Sequence, residues 1–356
     1  MDGDLAATIA ARYPTAEFPA LAAQIRLWDR TRPLAGAHVL DVTPVYANTL
    51  PKYLALQAAG AAVTVSVHRG IPGDPAVIAG LPEFGIAVAD EPALLSGYDV
   101  VLDCAGTHAD VTSRDGYAEL TRSGLTRYAG CTQPVVMVDS GVLKRIETTL
   151  GTGDGFVRAM AHLGQPVTAD RSVTVIGGGK VGFGVAAACA AAGATVTIID
   201  PLPVEVPAGA VRLDAADDAA VARAVASSWC VVSATGQRHG LASLAQVLRY
   251  SEALLANMGA EDEFGTDVPP ERALNSKVPV NFVLAEPTRL RYLDPTMALS
   301  NAAAVELHAK RIPAGVHAPA PELEQAILRE VRDHGAVAAE LDTVLAAPTY
   351  RRSVDR

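Results

Sequence analysis

The stretch Val173-Thr174-Val175-Ile176-Gly177-Gly178-Gly179-Lys180-Val181-Gly182-Phe183-Gly184 restricts the fold more than any other part of the chain. Its β-branched run predicts a strand, the glycines a tight turn, and the small residues that follow a closely packed helix. A second strand, Ala194-Thr195-Val196-Thr197-Ile198-Ile199, ends at Asp200, 18 residues after Gly182. In a strand–turn–helix of this kind the glycines serve the turn, the approach of backbone to a pyrophosphate, and close helix–sheet packing. The helix N-terminus faces the phosphates, and the acid after the second strand meets a ribose diol. Gly177, Gly179, Lys180, Val181, Gly182 and Asp200 are therefore candidate residues for holding NAD. An acid at position 200 favours NAD over NADP.

Strand-like runs recur on both sides of this motif with helical segments between them. They are His38–Val42, Ala62–Val67, Gly85–Ala89, Asp99–Asp103 and Val135–Val138, then Ser172–Ile176, Thr195–Ile199, Cys230–Ala234, Leu254–Asn257 and Val280–Leu284. This alternation predicts an α/β fold with two doubly wound, Rossmann-like domains, each a parallel sheet covered by helices. Only the second set carries the fingerprint, so the first reads as a separate domain for the substrate. Residues Ile146–Leu163 read as a helix between the two sets, and Pro321 opens an amphipathic helix followed by a polar tail.

The 356 residues suffice for two cores, and half of them are apolar. A net charge of -10 without a basic run argues against nucleic-acid binding. No apolar run has the length of a membrane span, and the first residues, MDGDLAATIAARYP, lack the pattern of a signal peptide. Cys104, Cys131, Cys189 and Cys230 have no metal-binding spacing. The expected setting is cytoplasmic, with free thiols. Only 5 of the 29 basic residues are Lys, which draws attention to each of them.

Several phrases outside the fingerprint occur in a fixed order. They are Pro33-Leu34-Ala35-Gly36-Ala37, Gly60-Ala61-Ala62-Val63, Asp139-Ser140-Gly141-Val142-Leu143-Lys144, Val232-Ser233-Ala234-Thr235-Gly236, Asn257-Met258-Gly259, Asp294 to Asn301, and Pro313-Ala314-Gly315-Val316-His317. Over roughly residues 20–330 this series resembles the S-adenosylhomocysteine hydrolase superfamily. The resemblance implies that a central NAD-binding domain, 150–292, is inserted in a substrate domain, 1–149, completed by 293–320. A C-terminal helix and tail, 321–356, would follow, with hinges near Gly151–Gly155 and Leu293–Asn301. It further implies a homo-oligomer, dimer or tetramer, and a ligand site between domains.

Members of that superfamily oxidise a ribose hydroxyl with tightly held NAD+, eliminate a thiol, add water and return the hydride. Lys144 matches the family's catalytic Lys, and a partly desolvated lysine can assist hydroxyl deprotonation. Other positions depart from the pattern: the family's acid and amide after that Lys are Thr148 and Thr149, and its histidines fall at Pro44, Ala260 and Asp294. The acid of one run matches Cys104, or Asp103 after a one-residue shift, while Cys131 is the nearest match to another. Ordinary adenosylhomocysteine hydrolysis is therefore not expected.

Asp294 stands at a catalytic position of the family as base or ligand. Asp103, Cys104 and His108 lie at or just past the end of a strand, and Asp103 is a candidate catalytic acid. His108 reads either as a loop histidine or as the titratable substitute near neutral pH. Tyr46 and Asn48 are candidate substrate contacts or turn residues, and Cys104 and Thr148 are further substrate candidates. Thr235, Gly236, Asn257 and Asn301 are candidate cofactor contacts. Glu261, Asp262 and Glu263 read as a solvated acidic loop or as a contact for a polar substrate. The leading expectation is an NAD+-dependent enzyme that transiently oxidises a nucleoside-like or amino-acid-like small molecule, enabling elimination, epimerisation or isomerisation. A dehydrogenase with net redox and an idle NAD-binding regulator are the alternatives.

Overall fold

The computed structural model describes residues 4–68, 71, 73–89 and 97–345. They divide into two compact units, Met1–Ile146 with Arg289–Asp342, and Glu147–Thr288 with Thr343–Arg356. Each is a parallel α/β unit.

The first unit runs α1 (Leu5–Ala10), α2 (Pro19–Thr31), β1 (His38–Asp41), α3 (Leu50–Ala58), β2 (Ala62–Ser66), α4 (Pro75–Gly80), β3 (Ala87–Ala89), β4 (Tyr98–Asp103), β5 (Ser113–Glu119) and β6 (Pro134–Met137). The second contains α5 (Thr152–His162), β7 (Ser172–Ile176), α6 (Lys180–Ala191), β8 (Thr195–Asp200), β9 (Ala210–Asp214), α7 (Asp218–Ser227), β10 (Cys230–Ser233), α8 (Ala245–Tyr250) and β11 (Leu254–Asn257). The chain then returns to the first unit with α9 (Leu290–His308), β12 (Gly315–His317) and α10 (Pro321–His334), before α11 (Leu341–Leu345).

The seven-stranded sheet has the order β12-β6-β5-β4-β1-β2-β3, and the five-stranded sheet β11-β10-β7-β8-β9. Every pairing is parallel. In each sheet the chain starts in the middle, winds to one edge and returns to the other side of its first strand. The reversal falls between β1 and β4 in one sheet and between β7 and β10 in the other. Ligands of open parallel sheets bind at the carboxyl ends of the strands flanking such a reversal.

The five-stranded sheet is buried on both faces, as a parallel sheet must be. Val173, Val175, Val196 and Ile198 pack with Phe156, Met160 and Cys189. Ile176, Ile199, Val231 and Leu255 pack with Val221, Val225 and Leu248. Cys189 and Cys230 are packing residues whose thiols burial pushes upward, Cys189 to about 12.

The sequence pattern missed β5, β9 and β12. Strand β5 carries Arg114, Asp115 and Gly116 in a run that looks like a turn, yet six of its seven residues are buried. Strand β9 is a half-exposed edge, and β12 has three residues. Val280–Leu284, expected as a strand, instead forms a 3-10 turn, Val280–Val283, opened by Pro279. The helix expected from Ile146 begins as a π-helical turn, Ile146–Gly151, and becomes α-helical only at Thr152. Gly153 and Gly155, read as part of a hinge, lie inside α5. A Cβ on Gly153 would meet the Gly184 carbonyl of α6, and one on Gly155 the Pro287 carbonyl, so close packing accounts for both glycines. The second expected hinge, Leu293–Asn301, lies inside α9.

Candidate functional site

In the second unit the fingerprint forms the β7 side of the sheet reversal. Gly177 has φ +103, and a Cβ there would strike the Ala234 carbonyl just past β10. A Cβ on Gly182 would strike the Gly177 carbonyl, so this glycine brings α6 against the turn. Gly179 caps α6 and has open space where its Cβ would be. The three glycines thus divide into one for the turn, one leaving room for a ligand, and one for packing, as dinucleotide binding requires. Lys180 opens the helix and Val181 follows it, both half-buried.

Asp200 ends β8 with its carboxylate buried. One oxygen accepts from the Gly178 N–H at 2.7 Å and the other from Leu202 N–H at 2.8 Å. The acid thus shapes the glycine turn. The Arg212 guanidinium, which the sequence pattern does not single out, donates to the Asp200 carbonyl at 3.3 Å.

Across the reversal, Thr235 and Gly236 follow β10. Their N–H groups donate to the two carboxylate oxygens of Glu263, each at 2.7 Å. Glu263 is fully buried, which corrects its reading as part of a solvated loop. Burial raises its pKa against the lowering effect of these N–H groups. Asn257, read as a cofactor contact, uses its whole amide internally. Its oxygen accepts from Ser233 and Gly259, and its nitrogen donates to the Glu261 and Lys277 carbonyls. With 0% exposure it has no hydrogen-bonding capacity left for a ligand.

In the first unit, buried polar groups line the carboxyl ends of neighbouring strands. Asp41 ends β1 and forms a fully buried ion pair with Lys52 of α3, whose ammonium also donates to Thr43 Oγ1 at 2.8 Å. Asp103 ends β4. Its carboxylate accepts from Cys104 N–H at 2.8 Å, His108 N–H at 3.1 Å and the Tyr128 hydroxyl at 2.6 Å. Burial raises the Asp103 pKa, and these donors oppose the rise. Glu119 ends β5 and holds Ala105, Gly106 and Thr121 in the same way. Asp103, expected as a catalytic acid, is therefore the buried organiser of the loop that carries Cys104 and His108. Cys104 is buried.

The His108 ring is placed differently. Its Nε2 lies 2.7 Å from the hydroxyl of Ser66, the last residue of β2. Both side chains belong to the group at the β1–β4 reversal, with His68 beside them. His68 Nδ1 accepts from Ile71 N–H, and burial lowers the His68 pKa.

Asp294 is the clearest departure from expectation. It is fully buried in α9, and its two oxygens accept from the N–H groups of Ala20 and Leu21 at 3.1 and 2.9 Å. It thereby caps the N-terminus of α2 from a distant part of the chain, where first-turn N–H groups have no partner within the helix and no local side chain caps them. Burial pushes its pKa up to about 7. Asn301, expected at the cofactor, is also fully buried in the first unit and donates to the Lys52 carbonyl of α3 at 3.1 Å. Its amide joins two helices.

Tyr46 closes a turn with Thr49, and burial and the nearby Asp74 push its hydroxyl to about 12. Asn48 is buried in that turn. Lys144 is buried just before the π-helical turn, which contains the half-buried Thr148. Among the described residues no group of His, Cys, Asp and Glu has the arrangement of a metal site, and no helix is long and apolar enough to cross a membrane.

Lys52, Ser66, Glu119, Tyr128 and Arg212 are not marked by any sequence motif. Two signals for them existed: the scarcity of lysines for Lys52, and the strand-end position for Ser66.

Two doubly wound α/β units, one with a glycine turn open for a dinucleotide, define the class of protein. Residues 168–266 match a protein family described as "Putative NAD(P)-binding", and this part of the chain is an NAD(P)-binding domain. No curated protein matches. Among solved structures, one of the subunits of dipicolinate synthase from Bacillus halodurans has a TM-score of 0.53 at 15% identity, covering 78% of this chain and 99% of that one. A transhydrogenase from Sinorhizobium meliloti has a TM-score of 0.44 at 14% identity, covering 78% and 97%. D-lactate dehydrogenase from Lactobacillus jensenii has 0.39 at 12% identity, covering 75% and 96%. The first of these similarities supports the two-unit α/β fold.

Proposed function

We propose that the chain is an NAD-dependent oxidoreductase that oxidises a hydroxyl group of a small polar molecule with net transfer of hydride. Bound NAD+ would supply the hydride acceptor. The second unit supports its binding through Gly177, Gly179, Gly182 and Asp200. The remaining requirement is a group that takes the hydroxyl proton. His108 is our candidate, with Ser66 as the hydrogen-bonded neighbour that orients its ring. Hydroxyl oxidation needs only this one proton acceptor. Elimination and hydration would need further acids and bases.

The observation that carries the choice is the engagement of Asp294. The resemblance to adenosylhomocysteine hydrolases gives this position a catalytic role, yet both oxygens cap α2. Asp103 is likewise held by three donors. A route that lacks free acids at these positions favours simple redox over transient oxidation coupled to elimination.

The second reading, in-place oxidation by a divergent relative of those hydrolases, is favoured by one observation. Lys144 is buried at the motif that matches the family's catalytic Lys. Purified protein mixed with NAD+ and a panel of hydroxy acids, polyols and nucleosides separates the readings. Net redox predicts NADH in excess of protein. In-place oxidation predicts NAD that copurifies, reduced nicotinamide no greater than the protein concentration, and loss of turnover in Lys144→Ala with NAD still bound. No reduced nicotinamide with any substrate would favour the idle regulator.

A further inference from the structure

We propose that Glu263 is a positioning residue for the nicotinamide half of the dinucleotide, acting through the Thr235–Gly236 turn. This rests on the reading that NAD lies across the β7–β10 reversal of the second unit. In such a sheet the two mononucleotide halves fall on opposite sides of the reversal. The side of β7 and β8, with the glycine turn and Asp200, takes the adenosine. The side of β10 and β11 is left for the nicotinamide mononucleotide, and its first turn is Thr235–Gly236.

That turn has an outside partner at its two N–H groups. Gly236 has φ +66, and the N–H groups of Thr235 and Gly236 converge on one point. The Glu263 carboxylate occupies that point, one oxygen for each N–H, both at 2.7 Å. A carboxylate suits this task because it offers acceptors only, and charge strengthens both bonds.

The carboxylate is itself held from behind. Gly259 lies so close that a Cβ there would strike Glu263 Oε1. Asn257 ties the Glu261 carbonyl and the Gly259 N–H to Ser233, the last residue of β10. The neighbouring charges are directed elsewhere, Asp262 to Lys277 at 3.1 Å and Glu261 to Arg238 at 3.9 Å. Glu263 thus connects a rigid loop to the turn that would border the nicotinamide ribose, on the opposite side of the reversal from Asp200.

The test compares two probes on the full chain. NADH engages both halves of the site, and ADP engages only the adenosine half. Glu263→Gln keeps the size of the side chain but replaces one acceptor by a donor facing an N–H. Losing a hydrogen bond to a charged group predicts NADH affinity weaker by about tenfold or more, with ADP affinity within about twofold of the parent. Gly259→Ala, which displaces the carboxylate without removing it, should reproduce the split and covers the case in which Glu263→Gln does not fold. Equal weakening for both probes would overturn the proposal, since it would mean general loosening of the unit. Unchanged NADH affinity in both variants would also overturn it. Parent protein that binds neither probe would remove the cofactor reading beneath it, a failure distinguishable from the other two.

Discussion

The His108 ring nitrogen Nε2 and the Ser66 hydroxyl oxygen are 2.7 Å apart, joining the loop after β4 to the carboxyl end of β2 beside the reversal of the seven-stranded sheet. Asp103 fixes the loop through the His108 backbone N–H, so the backbone and the ring have separate partners. His108→Asn should therefore lower turnover by at least about a hundredfold, the usual contribution of a positioned general base, and leave NADH affinity unchanged. Ser66→Ala should lower it less. Steady-state rates and NADH titration of both variants check this; full turnover in His108→Asn would rule out its role as proton acceptor.

The Asp200 carboxylate should make the protein prefer NADH over NADPH, since a 2′-phosphate would be repelled by it. Arg212, which donates to the Asp200 and Leu202 main-chain carbonyls, is the nearby cation that remains in place when the acid is removed. Asp200→Ser is expected to narrow the preference by about tenfold and to weaken NADH binding, because Gly178 and Leu202 lose their acceptors. Parallel titrations with both cofactors give the ratio. An unchanged ratio would mean that the acid does not face the ribose.

Much of the second unit was legible because its glycines are required by backbone geometry that no side chain can replace. Gly177 and Gly182 fill places where a Cβ would collide with a carbonyl, that of Ala234 for Gly177 and, within the motif itself, that of Gly177 for Gly182. The roles of Asp294 and Asn301 were not legible, since their partners are 273 and 249 residues away along the chain. Glu263 looked solvated for the same reason: only the folded turn after β10 brings two N–H groups to its carboxylate. Strand β5 failed the pattern test because Arg114, Asp115 and Gly116 resemble a turn, while in the sheet Asp115 is buried and pairs with His308 and Lys310.

Asp294 should leave a mark on stability as a function of pH. Its pKa in the fold is about 7, above the ordinary 3.8, because burial disfavours the charged form more than the two N–H groups favour it. The folded state then holds this proton more tightly than the unfolded chain. Its contribution to stability is full below about pH 4 and is lost as pH rises through about 7, by up to about 1.4 kcal/mol per pH unit. Asp294→Asn, neutral throughout, should lack that slope. Urea unfolding of both proteins at pH 5 and pH 8 measures the difference, and identical slopes would contradict the assigned shift.

Hydride transfer with a nicotinamide cofactor that exchanges is the central claim. Its most direct test is to follow reduced nicotinamide while the purified protein meets NAD+ and a panel of small hydroxylated substrates. The expected result is substrate-dependent NADH beyond one equivalent of protein, lost in His108→Asn. NADH that never exceeds the protein concentration, or never forms, would contradict it.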